Sequence, residues 1–593
     1  MSLLSELNLP EPGAPEPHES SGPIRVHVAT TALPSTAPHH TRHTPHAQHA
    51  PRPDDPRPDD PRHPLHPLRL YEALGATTRS SADRYLFESL DGPESDRHFA
   101  AVGCDRLADL HLFADHVELV ASGALRDRLA AALDEAAGVP RTAGGAAGAD
   151  ATAAGAGVSA SPSGSGPAHG DRLCWPVPDQ PTAWRLVRAA QGAFTVSTDV
   201  PADTFAFGFL TTLSYEAAWA MERLPAERRP ADLPRCSLTL FRDTVWYDLR
   251  GGTVHHLAAS AAEFPAEASA VAPEPLSAVL VRLVAEPPNG VDAGLGADAG
   301  AGAGAGVDDA PPAAPRPDSV QDTVDKETFI AHAKRCLGHI EVGDVYQIQI
   351  GHRIDVRTAL TPLQVYRRLR HRNPSPYMYL APWAGRTVIG ASPELFLRLS
   401  GDTLTMRPIA GTVPRSPDAA EDARRVAELR ASAKEQAEHV MLVDLCRNDI
   451  GRVSVPGTLA VDTMMDVEPF ASVHHLVSTV SGQVRPGTDV WSAICASFPA
   501  GTMTGAPKLR AMELIHAIEE QPRGCYAGAI GLVDVRGFAV FALCIRTAVY
   551  DGETYSTQAS AGVVADSVPA AEWQETLAKL NATHWALTGE ELL

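Results

Sequence analysis

At 593 residues the chain is long enough for roughly two to four domains, and 44% hydrophobic with 21% charged residues suits a globular enzyme. Its 72 acidic against 50 basic side chains leave a formal charge of −22, which argues against nonspecific binding to a phosphate backbone but not against capture of a small anion by local cations. Eight cysteines stand singly without a CxxC pair, so the expectation is a reduced chain with no disulfide frame and no zinc site. With no signal-like start and no apolar run of membrane-spanning length, the expected location is the cytoplasm.

Residues 1–65 are rich in Pro, His, Ser and Thr and carry the repeat PRPDDPRPDD, a composition that buries too little apolar surface to order itself. They are expected to be a disordered tail. An N-terminal domain is expected over 66–285. RYLFESLDGPESDRHFAAVG, Arg84 to Gly103, alternates around a DG turn and reads as a strand pair. RDRLAAALDEAAG reads as a helix stopped by Gly138, and CSLTLFRDTVWYDL as a strand. The Ala, Gly and Ser stretch 139–171 reads as a flexible insertion, and 286–322 as a flexible linker.

From 323 to 593 helical patterns such as KETFIAHAKRCLGHIEVG alternate with strands such as VYQIQIGHRIDV and STQASAGVVADS. Short turns between successive strands predict antiparallel sheets with helices outside, an α+β class. In this half the run Lys434 to Asp449 continues a helical apolar spacing through Val426, Leu429, Ala433, Ala437, Val440, Met441 and Leu445. Glu435 and Glu438 share a face at i, i+3. Glu572 and Glu575 repeat that spacing in AAEWQETLAKLNA, with Lys579 one turn on. Four carboxylates gathered in a cleft repel one another unless a hard divalent cation sits among their oxygens.

The matching pieces ASPE, PIAGTVPR, KEQAEHVMLVDLCRNDIGRV, FPAGTMTGAPKLRAMELI, RGCYAGAIG, IRTA and QASAGVVADS occur in order over about 190 residues. In them the chain resembles the chorismate-utilising enzymes, and within that family the anthranilate synthase large subunit. The resemblance implies a two-domain sandwich of largely antiparallel sheets around a cleft. It also implies that Glu438 and Glu575 hold Mg2+ against the ring carboxylate of chorismate, with Glu435 and Glu572 assisting through water; oxygen-only ligands agree with magnesium. Tyr526, Arg546, Lys579 and the backbone amides of a small-residue turn at Ala561 and Gly562 are implied to hold the enolpyruvyl carboxylate. Glu394, Thr412 and His475 match residues that handle protons and pyruvate elimination, whereas His474 is expected to be structural.

Two positions bear on the reaction. Gln347 stands where water-using relatives carry a lysine base, so an amine nucleophile is favoured. Ala410 stands where 4-amino-4-deoxychorismate synthases carry a lysine that attacks C2, so C2 is left open to ammonia. The expected product is anthranilate, formed by C2 amination and pyruvate loss; the alternatives are a 2-amino-2-deoxyisochorismate synthase that keeps the pyruvyl group, a 4-amino-4-deoxychorismate synthase, and a non-catalytic paralogue. RGCYAG lacks a glutaminase elbow, so ammonia is expected from a separate glutaminase subunit in a hetero-oligomer. LFES and NPSPYM place Ser89, Pro376, Tyr377 and Met378 as candidate contacts for tryptophan as a feedback inhibitor. Ser560 replaces the glycine common in the QASAG motif, which is expected to crowd the carboxylate site.

Overall fold

A computed structural model describes residues 22–33, 63–75, 81–138, 141–143, 172–226, 232–265, 275–285 and 311–593. The PRPDD repeat and the His-rich stretch lie outside the described residues, as do 144–171 and 286–310. The expectation of a disordered tail to residue 65 is corrected within it: Ile24–Leu33 is a strand lying between Thr253–Ser260 and Phe194–Ser197. Ile24, Val26 and Val28 alternate inward and bury fully, a two-residue period overshadowed by the surrounding Pro-rich sequence. The expected linker likewise ends in a strand, Ser319–Asp322, paired with the end of Gln347–Arg357. Thr142–Ala143, inside the expected insertion, pairs with Leu173 and Cys174.

The expected strand pair is present as Arg84–Glu88 against Phe99–Leu112, and the expected helix is Gly123–Ala137, closed by Gly138 at φ 67°. Antiparallel strands dominate, with helices on their outer faces, as the α+β reading required. The N-terminal strands enter the sheets of the C-terminal half: Arg84–Glu88 pairs with Tyr377–Trp383, and Gly208–Leu213 with Ala529–Asp534. One hydrophobic core therefore draws Phe209, Leu213 and Leu240 together with Ile530, Leu532 and Phe541.

Three elements position the cleft. The strand Gln347–Arg357 pairs with Tyr555–Val563, Ile348 opposite Val563 and Ile350 opposite Ala561. Those residues point into a core with Phe329, Ile515 and Trp573, so by the two-residue period Gln347 and Gln349 point to the other face. The helix Pro569–Thr588 packs on Tyr555–Val563, and the helix Ala433–Gly451 packs on Ile409–Pro414 and Val473–Gln483. The single apolar stripe expected through Val426 and Leu445 is corrected. Ser432 ends the helix Ala419–Ala431 and caps the next, accepting from the Glu435 amide at 3.4 Å. Val440 is 43% exposed, and the buried face is instead His439, Leu442, Val443, Cys446, Asp449 and Ile450. Two of these are polar and find partners distant in sequence, His439 Nε2 at Ser478 and Asp449 at Lys508, which an apolar-periodicity reading does not see.

Candidate active site

The two glutamate pairs come together. Burial, followed by the charges of Glu435, Glu575 and Glu572, raises the Glu438 carboxyl to about 7 despite Lys434 nearby. Glu572 is also raised, first by burial and then by Glu575. Burial pushes Glu575 the same way, but Lys579, whose Nζ is 2.5 Å from Glu575 Oε1, outweighs it and leaves the group below its ordinary value. Lys434 Nζ lies 3.8 Å from Glu438 Oε1. Two lysine ammoniums thus partly neutralise a four-carboxylate cluster fed by two helices more than a hundred residues apart in sequence. The cluster is open: among the described residues no three of these glutamates bring ligand oxygens within 4.8 Å of one another, whereas His116, Glu118 and Cys174 do bring theirs that close. That last set sits half-buried on the strands His116–Ala121 and Arg172–Pro176, and cysteine spacing alone could not reveal it because its members come from two strands.

The cation of the site is Arg546. Its backbone sits at φ 51°, a left-handed conformation costly for a side chain that must point where the chain would not otherwise send it. Burial pulls its guanidinium below the ordinary value, and among the described residues it has no hydrogen-bonded or ion-paired partner. A half-buried arginine beside Tyr526 and Glu575, its guanidinium unpaired among the described residues, is a candidate anion site. Ala561 and Gly562 are corrected from a turn to the interior of the strand Tyr555–Val563. The glycine serves a different need, because a Cβ there would meet Gln347 Nε2 at 2.8 Å and Gln349 Nε2 at 2.9 Å. Gln347 is buried beside it, and its Oε1 has no hydrogen-bond partner among the described residues.

The candidate proton-handling residues line the adjoining wall. Burial raises Glu394 to about 8, against the smaller opposing effects of a hydrogen bond donated by Thr502 Oγ1 at 3.0 Å and of Lys579. Glu394 is therefore an acid at neutral pH. Burial lowers His475 to about 4, leaving a neutral imidazole. Its Nδ1 lies 3.2 Å from the Gly411 carbonyl and 2.9 Å from Thr412 Oγ1; the carbonyl only accepts, so Nδ1 carries the hydrogen and Nε2 is left as a base. The strand Ile409–Pro414 bulges between Ala410 and Thr412, and at Gly411, φ 63°, a Cβ would lie 3.1 Å from Glu435 Oε2. This bulge sets Gly411 against Glu435, with Ala410 and Thr412 on either side of it and His475 opposite Thr412. His474 binds Asp422 at 2.9 Å, a structural contact as expected.

Sequence reasoning missed three supports. Thr502 holds Glu394, and its place in FPAGTMTG was the available signal. Arg523 is buried and binds Glu519 together with the carbonyls of Met503 and Gln349, while its amide donates to Glu216 from the N-terminal half. Gln349 repeats the facing of Gln347 two residues on. The candidate tryptophan contacts, expected apart from this cleft, stand beside one another: Met378 lies opposite Glu88 and the Leu90 amide donates to the Ser375 carbonyl at 3.1 Å, which sets Ser89 next to Pro376 and Tyr377. Ser89 and Met378 are buried core, Pro376 packs toward Gly92, and Tyr377 donates to Asp96 at 3.0 Å. Tyr377 borders a separate cavity of about 720 Å3 with Trp246 and Arg398, lined by none of the four glutamates.

The sequence signature of chorismate binding enzymes matches residues 149–584. A 2-amino-4-deoxychorismate synthase from Streptomyces globisporus is 48% identical over 412 residues, 69% of this chain and 78% of that protein. An anthranilate synthase component 1 from Streptomyces coelicolor is 51% identical over 255 residues, covering 43% of this chain and only half of its own length. The crystal structure of anthranilate synthase component I from Streptococcus pneumoniae TIGR4 shares the fold, with TM-score 0.56 at 24% identity over 82% of this chain and 92% of that one. A match that takes in every residue placed in the cleft, with a relative this similar over more than two thirds of its length, makes the chain a member of the chorismate binding enzyme family.

Proposed function

We propose that this chorismate-utilising enzyme adds ammonia to C2 of chorismate, expels the C4 hydroxyl and releases the aminated ring with its enolpyruvyl ether intact. The observation that carries the choice of nucleophile is the buried, unpartnered Gln347 Oε1. An amide oxygen accepts a hydrogen bond from ammonia, which attacks without prior deprotonation; it is far too weak a base to activate water. The nitrogen lone pair bonds to C2, both ring double bonds shift, and the C4–O bond breaks with its electron pair on oxygen. In this reading Glu394 gives that oxygen a proton, and Arg546 and Lys579 hold the substrate's negative charge. Glu438 and Glu575, supported by Glu435 and Glu572, are an oxygen-only donor set that fits Mg2+, which when bound would offset their repulsion with the substrate and assist loss of the C4 oxygen as a Lewis acid.

Retention of the pyruvyl group is supported by the relative whose likeness extends beyond the catalytic half. Its printed product has an amine at C2, no hydroxyl at C4 and the chorismate side chain, the constitution also called 2-amino-2-deoxyisochorismate. The sequence alone ranked anthranilate first, and the Thr412 and His475 pair, with its free Nε2, favours that as the second reading. Chromatography of products from chorismate, Mg2+ and ammonium tests both: the proposal expects a pyruvate-bearing amine, and anthranilate with free pyruvate would replace it by the second reading. Ammonia is supplied in this account by a separate glutaminase subunit. Cys525 is no substitute, since its hydrogen bond with Cys544 and its burial push the thiol well up. The chain alone should leave glutamine unchanged while consuming chorismate with ammonium.

The acid role of Glu394 has a pH signature. The group is raised, so its active, protonated form is present below about 8 and is lost as pH rises through that value. The maximal rate should fall above about pH 8, approaching tenfold per unit, and Glu394→Gln should remove this limb while costing about 10²-fold in rate. A flat profile to pH 10 would exclude Glu394 as the acid.

A further inference from the structure

Ser560 stands where the strand Tyr555–Val563 meets Lys579, Tyr526 and Gln349 of the cleft. Its carbonyl accepts from Lys579 Nζ at 2.9 Å, its hydroxyl lies 2.6 Å from the Tyr526 hydroxyl, and the same hydroxyl donates to Gln349 Oε1 at 3.0 Å. The residue is buried, and it does not crowd the site as its size suggested, because both its oxygens are satisfied within the wall. The direction of this chain of hydrogen bonds is forced from its far end. An amide oxygen only accepts, so the single Ser560 proton goes to Gln349; Ser560 Oγ must then accept from Tyr526. The Tyr526 proton is therefore committed inside the wall. Burial also raises the phenol to about 12, so it keeps that proton at every working pH.

The consequence falls on the anion held by Arg546. Tyr526 is close enough to shift Arg546, and both stand at the end of the cleft where Lys579 also reaches. With its proton turned toward Ser560, Tyr526 presents lone pairs rather than a donor to a carboxylate in that position. We propose that Ser560 is a positioning residue that preserves the enolpyruvyl ether by withholding the Tyr526 hydroxyl from it. This rests on the reading that the ether is retained. Loss of pyruvate from the aminated ring needs a base to take the C2 hydrogen, the C3–O bond to break with its electron pair on oxygen, and the departing enolate to gain a proton on carbon. A hydrogen bond donated to the enolpyruvyl carboxylate spreads that developing charge and makes the group easier to lose; removing one such donor in comparable sites slows reaction by about 10²–10³-fold. His475 Nε2 is available as the base, so the missing donor, rather than a missing base, limits elimination.

Ser560→Ala removes the hydroxyl and keeps both the Cβ and the carbonyl that binds Lys579. With chorismate, Mg2+ and ammonium, it should raise the ratio of anthranilate to retained amine at least about tenfold, and Tyr526→Phe on that background should return the ratio to the wild-type value. Tyr526→Phe should shift the ratio and the KM for chorismate far less with Ser560 in place than on the Ser560→Ala background, because with Ser560 present its proton never reaches substrate. Ser560→Thr, which keeps the hydroxyl, should behave as wild type. An unchanged ratio in Ser560→Ala, with chorismate still consumed and thermal stability intact, overturns the proposal. So does a Tyr526→Phe effect on KM that is as large with Ser560 as with Ala. If the unaltered enzyme already makes anthranilate, the reading of retention fails; the comparison of the two Tyr526→Phe backgrounds by KM then still decides the hydrogen-bond assignment by itself.

Discussion

Glu438→Gln is expected to lower chorismate turnover at saturating Mg2+ by at least about 10³-fold without unfolding the protein. The amide keeps the shape of the carboxylate but not its charge, and a Lewis-acid contribution of several kcal/mol corresponds to about three powers of ten in rate. Stability should hold because the Glu438 side chain is 24% exposed and its ion pair with Lys434 is long at 3.8 Å. Glu575→Gln should lose activity to a similar degree, while also freeing Lys579 from its 2.5 Å contact. Steady-state rates beside a circular dichroism melt separate the two effects. Turnover within tenfold of the unaltered enzyme would remove Glu438 from the role given to it.

Lys508→Ala is expected to cost about 3–5 kcal/mol of folding stability, the range found when one partner of a buried ion pair is removed. Lys508 Nζ donates to both oxygens of Asp449 at 2.7 Å and to the Ser497 carbonyl at 3.0 Å, with side chains 11% and 6% exposed. Burial raises Asp449 to about 6 even with the lysine present, so its charge has no other adequate support. The pair joins the helix that carries Glu438 to the helix Lys508–Ile518, and its loss should therefore also blur the cleft. Denaturant unfolding measures the cost. Lys508→Met combined with Asp449→Leu should recover most of it, since no charge is then stranded; a loss below about 1 kcal/mol in the single variant would mean the pair is solvated.

Several features were legible in the sequence because they obey local rules. The i, i+3 spacing of Glu435 with Glu438 and of Glu572 with Glu575 fixes each pair on one helix face, and the helices did form there. Gly138 marked its helix end for the same local reason. What stayed hidden depends on partners distant in sequence. The break at Ser432 was masked by apolar residues running through it, and the buried face of the next helix includes His439 and Asp449, which bond to Ser478 and Lys508 far along the chain. Gly562 looked like a turn residue, whereas a strand needed it to make room for two glutamine side chains. Thr502, Arg523 and Gln349 carry no periodicity of their own, and their importance follows from what they touch. If Ser560 holds the Tyr526 proton as proposed, the choice between the two products is of the same kind, since it turns on which way a few buried protons point.

The most direct test of the account is calorimetric titration of the protein with chorismate, with and without Mg2+, in the unaltered and Glu438→Gln chains. The account predicts that Mg2+ tightens chorismate binding at least about tenfold in the unaltered chain, a coupling of about 1.4 kcal/mol, and that the variant loses this coupling. Equal affinity for chorismate with and without Mg2+ would contradict the claim that carboxylates from two helices hold the cation against the anionic ring.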